Sequence, residues 1–225
     1  MAIFISASML NDFVHCNRMV YYRINHPELQ TQNKEMIIGE VVHSAIEKFW
    51  DLNAAGCFYA IEELRKRLPE HAESTDFSLD CLHIYYSNFQ KLLTYNDTVE
   101  AKFKVQYDKD VFIVGKMDRI SDGKVFDWKT TRKPPTNIDK DIQFILYNWA
   151  FKEIYNAEPS GVYYASLTNG SLIKYNKNPI VQDFLLGEVV PQLISTIRSK
   201  NYIHNGVFKR SCYRCVYSDT CLKEV

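Results

Sequence analysis

Residues 114–130, VGKMDRISDGKVFDWKT, form two alternating runs broken only at Ser121-Asp122-Gly123-Lys124. Alternation of apolar and polar positions marks strands, and Asp-Gly between two such runs is the strongest short signal for a two-residue hairpin turn. With Asp122 and Gly123 at the turn, Ser121 faces Lys124, and stepping outward along both strands Asp118 faces Asp127. Directly opposed side chains lie roughly 4.5–5.5 Å apart at Cβ, and like charges there repel. A hairpin built only for stability avoids that pair. A hairpin built to hold a divalent cation uses it, because carboxylate oxygens are the preferred ligands of Mg²⁺ and Mn²⁺. Lys129, two residues after Asp127, points to the same side. The alternative is a solvated charged face, and the neighbouring sequence decides between them.

The periodicity places helices before the hairpin. Ser8 caps a helix to about Tyr22, and Met36–Leu52 carries Ile38, Val42, Ala45, Ile46 and Phe49 at helical spacing. Further helical stretches follow at about Tyr59–Leu68 and Leu79–Leu93. The period then changes to two: Ala101, Phe103, Val105 and Tyr107 alternate with Glu100, Lys102, Lys104 and Gln106. After the hairpin, Thr136–Asp139 resembles a capping box opening a helix to about Tyr155. Gly161–Leu167 and Ser171–Tyr175 read as strands turned at Asn169-Gly170, and Ile180–Ser199 as a helix. Helices followed by a mostly antiparallel sheet with one inserted helix give a mixed α/β (α+β) class. One domain over 1–225 is expected, with a helical part at 30–96, a sheet-and-helix core at 97–178 and a cysteine-rich region at 200–225.

The chain of 225 residues is 46% hydrophobic, enough for a substantial core, and its formal net charge of zero gives no global case for a polyanionic partner. Locally, Arg198, Lys200, Lys209, Arg210 and Arg214 fall in a stretch without acidic residues, a basic patch or a solvated tail. No run approaches about 18 apolar residues, and MAIFISASML lacks the basic start of a signal peptide, so a cytoplasmic protein with no membrane association is expected. No phosphate-binding G-x-x-x-x-G-K-[ST] loop is present.

Six cysteines divide into two groups. Cys57 and Cys81 sit on predicted helices and read as small buried hydrophobes. Cys212, Cys215 and Cys221 have the spacing C-x2-C-x5-C, which suits a metal or cluster, and Cys16 is the remaining candidate for a fourth ligand. Spacing alone leaves zinc and a 4Fe–4S cluster both open.

Taken in order, these motifs resemble the RecB-like branch of the PD-(D/E)XK nuclease superfamily, and most closely its iron–sulfur members, such as the CRISPR-associated RecB-like exonucleases and AddB-type nuclease domains. The resemblance rests on Cys16-Asn17-Arg18 closing an N-terminal helix, on Gly39 and His43, and on Asp118 in GKMD. It continues through Asp127-Trp128-Lys129 as the D/E-x-K motif, Gln143 and Tyr147 as Q-x-x-x-Y, and the C-terminal cysteines. Asn17 departs from the family's usual proline. Outside the resemblance, a lone His43 on an amphipathic helix reads as a buried, hydrogen-bonded residue, and Gln143 and Tyr147 as polar helix surface.

The resemblance implies a restriction-endonuclease-like core and a Mg²⁺- or Mn²⁺-dependent DNA nuclease, an exonuclease on single strands or ends. Its metal ligands would be His43, Asp118, Asp127 and the Trp128 carbonyl. Lys129, Gln143 and Tyr147 would complete the catalytic set, and Cys16, Cys212, Cys215 and Cys221 would hold a 4Fe–4S cluster. Arg18, Arg132, Lys133, Arg210 and Arg214 are the candidate DNA contacts, and protein partners in a recombination or CRISPR adaptation complex are compatible with it. The rival is a non-catalytic nuclease-like subunit that binds DNA within a larger complex.

Overall fold

A computed structural model describes residues 2–70, 72–206, 212 and 215–223. Its centre is a six-stranded mixed sheet: β1 (Ile3–Ile5), β2 (Thr98–Asp108), β3 (Val111–Ser121), β4 (Lys124–Lys129), β5 (Gly161–Ser166) and β6 (Leu172–Lys174). β3 is the hub. β2 runs antiparallel along one of its edges for almost its whole length. The other edge is shared: β1 takes Val111–Ile113 in parallel, and β4 takes Arg119–Ser121 antiparallel. Residues 114–118 lie between those two ladders with no strand beside them on that edge.

Helices cover both faces, giving three layers. On one side α1 (Ala7–His15), α2 (Asn17–Asn25), α6 (Ile142–Tyr155) and the helical span Pro179–Ser199 (α7, Pro179–Phe184; a π-turn, Leu185–Val189; α8, Val190–Ser199) pack around Leu10, Val20, Ile113, Met117, Phe144 and Leu193. On the other, α3 (Lys34–Lys48), α4 (Asn53–Arg67) and α5 (Ala72–Ile84) enclose Val42, Leu64, Leu82, Tyr85, Phe126 and Trp128. Pro179–Ser199 has the length and hydropathy of a membrane span, yet its Leu185, Val190, Leu193 and Ile194 sit in the first of these cores. A short α9 (Ser218–Cys221) follows.

Several boundaries differ from expectation for local reasons. The N-terminal helix is two helices, because Cys16 adopts an extended backbone between them; the cap is Ser6, whose hydroxyl accepts from the Met9 amide. The second helix starts at Lys34 under an Asn33 cap and ends at Lys48. The third reaches back to Asn53, and the fourth spans Ala72–Ile84 before loosening into a π-turn at Tyr85–Phe89. Thr136–Asp139 caps nothing: Asp139 closes a turn on Asn137, and α6 begins at Ile142, where Asp141 accepts from the Gln143 amide. Asn169-Gly170 belongs to a longer loop between β5 and β6, with Gly170 at φ +71° and its amide bonded to Ser166. Cys81 is fully buried, and burial pushes its thiol up to about 12; Cys57 is half-buried, its thiol donating to Asn53.

Candidate active site

The hairpin forms as its turn chemistry requires. Asp122 and Gly123 have φ of 48° and 70°, both left-handed, and Ser121 pairs with Lys124, Ile120 with Val125 and Arg119 with Phe126. The ladder stops there. One step further, where Asp118 and Asp127 would be opposed, the Trp128 amide donates to the Asp118 carboxylate (2.8 Å). A side chain has taken a ladder amide, and the strands fork at the two aspartates.

Each aspartate is then tied to a different helical layer. Asp118 Oδ2 lies 3.4 Å from His43 Nδ1 on α3. Asp127 Oδ2 lies 2.7 Å from the Lys129 ammonium, and its Oδ1 is 3.2 Å from the Tyr147 hydroxyl on α6. Lys129 also donates to Gln143 Oε1 (2.9 Å), Gln143 Nε2 to the Tyr147 oxygen (2.6 Å), and the Tyr147 hydroxyl to the Lys116 carbonyl (2.6 Å). The last bond satisfies a β3 carbonyl in the stretch that has no neighbouring strand. Gln143 and Tyr147 are thus a relay from Lys129 to the sheet rather than free helix surface.

Burial works against every charge here, and pairing decides the outcome. Burial would raise the Asp118 carboxyl, but His43, Lys129 and the Trp128 amide hold it below its ordinary value. Asp127 goes the other way, to about 6, since burial and the Asp118 charge outweigh Lys129. Burial would lower His43 and Lys129, but Asp118 and Asp127 respectively leave both raised. Asp127 Oδ2 is buried and its partner is the Lys129 ammonium.

One acid was missed from the sequence. Glu100 on β2 stands between the pairs Val99–Arg119 and Ala101–Met117, hence opposite Asp118. Its φ of 51° is left-handed, unusual for glutamate, and its carboxylate pairs with Lys116. His43, Glu100 and Asp118 each offer a ligand atom within 4.8 Å of the others; Asp127 is not in that group. Opposite Glu100, on β3, Met117, Asp118 and Arg119 are all buried in succession. The odd-numbered Val111, Ile113 and Met117 of β3 pack into the α6-side core, and so, past Asp118, does the even-numbered Ile120.

A cleft runs past His43, Glu100 and Lys116 to Arg132 and Lys133, both exposed, with the Arg132 guanidinium 4.0 Å from the Phe77 ring centre. Gly39, one turn before His43, leaves room that is taken by Thr130, 3.4 Å from where a Cβ would stand. Arg18 lies elsewhere, against the cysteines and over the Tyr21 ring. Arg210 and Arg214 fall outside the described residues.

The four singled-out cysteines, 16, 212, 215 and 221, line one cavity with His204 and Gly206. A Cβ on Gly206 would come 3.0 Å from the Cys16 sulfur and 3.7 Å from that of Cys212, so a side chain there would crowd the Cys16 side of the cavity. Cys221 Sγ is 3.3 Å from His204 Nε2. Among the described residues no three of these sulfurs lie within 4.8 Å of one another.

The family model of the PD-(D/E)XK nuclease superfamily matches residues 5–222. The chain belongs to that superfamily. Membership carries a metal-dependent, DNA-binding nuclease as its general activity, and the mixed sheet flanked by helices is consistent with its fold. A solved structure described as "Crystal structure of SSO0001" is similar over 97% of this chain and 85% of its own, at 16% identity and a TM-score of 0.47. No curated protein matches the chain by sequence.

Proposed function

We propose that this superfamily member is a RecB-like deoxyribonuclease that hydrolyses phosphodiester bonds in single strands or at DNA ends, with Mg²⁺ or Mn²⁺ in the site and a 4Fe–4S cluster in the cysteine cavity. The observation that carries it is the fork: Asp118, Asp127, Lys129 and His43 converge where β3 and β4 part, with Gln143 and Tyr147 fixing the lysine.

The donor set fits a hard divalent cation: two buried carboxylates and an imidazole. Asp118, Asp127, His43 and the Trp128 carbonyl would hold it, with Glu100 as a further carboxylate. A bound cation lowers the pKa of water and draws charge from the phosphate oxygens. Lys129, paired with Asp127, would position water and offset negative charge developing on the phosphate. Gln143 keeps the ammonium aimed, and Tyr147 anchors Gln143 to the Lys116 carbonyl. Arg132 and Lys133 face the cleft where flanking phosphates would lie.

For the cluster, the support is four cysteines on one cavity that a side chain at 206 would crowd. Zinc and a 4Fe–4S cluster both take four thiolates, so the metal content of the purified protein decides between them. A cluster would tie the first helices to the C-terminal segment and stabilise the fold.

The test is cleavage of 5′- and 3′-labelled single- and double-stranded DNA by anaerobically purified protein with Mg²⁺ or Mn²⁺. Asp118→Ala and Lys129→Ala should each lose at least roughly 100-fold in rate. Wild type no faster than these variants ends the enzymatic reading. A colourless protein with stoichiometric zinc and no iron ends the cluster reading.

A further inference from the structure

A row of cations, the exposed Lys116, Lys102 and Lys104, leaves the cleft along β2 and β3. Lys116, in the cleft, is directly opposite Lys102, and Lys104 is opposite Val114 one step further out. Lysines directly opposed on a ladder repel. Glu100 neutralises Lys116, but Lys102 has no acidic partner among the described residues. The interleaved Ala101, Phe103 and Val105 point the other way and pack into the α6-side core, so the lysines are not needed there for folding.

The row ends on an aromatic pair. Phe4 of β1 is opposite Phe112 of β3, their rings stacked at 5.6 Å and 21°. The Lys104 ammonium stands 4.2 Å from the Phe112 centroid and 5.1 Å from that of Phe4, and Phe4 is 47% exposed. Adjacent same-face positions on a strand are spaced by about 6.6 Å. Positive charges at that interval leading to an exposed ring match a flexible polyanion carrying flat apolar groups. We propose that Lys102, Lys104 and Phe4 form a track for a single-stranded nucleic acid, phosphates on the lysines and an unpaired base on Phe4, feeding the cleft at Lys116. The proposal rests on the nuclease reading for its purpose but on its own surface for its evidence.

Binding without turnover separates the two. The full chain in EDTA is titrated with fluorescent oligothymidylate of about 15 nucleotides, an abasic strand of the same length, and a blunt duplex. In Lys102→Gln/Lys104→Gln the slope of log Kobs against log salt should fall by about 1.4, two contacts at about 0.7 each for single strands. Phe4→Ala should weaken oligothymidylate about fivefold or more and leave the abasic strand unchanged. Thermal melts check that both variants fold, and bis(p-nitrophenyl) phosphate hydrolysis with Mn²⁺ should be the same in both as in wild type. Unchanged slope and affinity in these variants overturn the track, as does an equal loss on the blunt duplex. The expected shifts in a protein that cleaves nothing support the track and fail the nuclease reading instead.

Discussion

Lys129 and Glu100 share a problem: each is a largely buried charge, and each is held by an ion pair, with a strained backbone added at Glu100. Lys129 is stabilised by pairing, with Asp127 at 2.7 Å and Gln143 at 2.9 Å. Glu100 is paired with Lys116, and in addition its backbone sits at φ 51°, a region that the β-carbon disfavours by roughly 1–2 kcal/mol. Strain of that size at a carboxylate beside Asp118 and His43 is consistent with a role in cation binding. Glu100→Gln keeps the shape and removes the charge. Its apparent Mn²⁺ affinity, from activity titrations, should fall roughly tenfold, while the melting temperature stays near wild type. The same affinity in the variant would leave Glu100 as a partner of Lys116 alone.

At the scale of elements, turns decide what could be read in advance. Asp122-Gly123 announced its hairpin, and the register that follows brings Asp118, Asp127 and Lys129 to one fork. The cost of losing that turn is measurable. Gly123 has φ 70° and a Cβ there would meet the Ser160 hydroxyl at 3.0 Å, so Gly123→Ala should lower stability by about 1–2 kcal/mol in urea melts. The β2–β3 hairpin carries no such signal. Asp108 pairs with Val111 across Lys109-Asp110, and continuing that register would set Glu100 against Arg119, an unremarkable ion pair. A bulge between Gln106 and Asp108 slides the strands by one residue and sets Glu100 against Asp118 instead. In the sequence Glu100 is only one of the polar positions of an alternating strand. The apolar spacing likewise runs through Cys16, where the helix breaks; the Cys16 amide still closes the first helix on Asp12, and the Asn205 side chain accepts from the Asn17 amide at the start of the next.

Across the molecule, the fork is braced from behind by a pair the sequence did not single out. Arg119 and Asp97 are each 2% exposed at the side chain, bonded at 3.0 Å, with the guanidinium also donating to the Thr94 carbonyl and lying 4.6 Å from the Trp50 ring. They fasten the end of the α3–α5 layer to the strand carrying Asp118. Burial would raise the Asp97 carboxyl, but bonds from Thr94, Ser121 and Arg119 hold it below its ordinary 3.8. A depressed carboxyl contributes stability that is full above its unfolded pKa and lost as pH falls through the lower folded value. Thermal stability should therefore decline below about pH 4, and Asp97→Asn should flatten that decline while costing roughly 3–5 kcal/mol at neutral pH. A steep acid decline retained in the variant would assign it to other carboxylates.

The bare stretch of β3 between its two part-time neighbours has a consequence for how the site is dimensioned. Its width is set by where two ladders end, β1 after Ile113 and β4 at Arg119, a span of five residues or about 17 Å of strand. A gap framed that way is ruled off in whole residues by main-chain pairing, much as a keyway is cut into a shaft. Loops around it can lengthen or shorten without changing the opening, whereas one more rung on either ladder would narrow it.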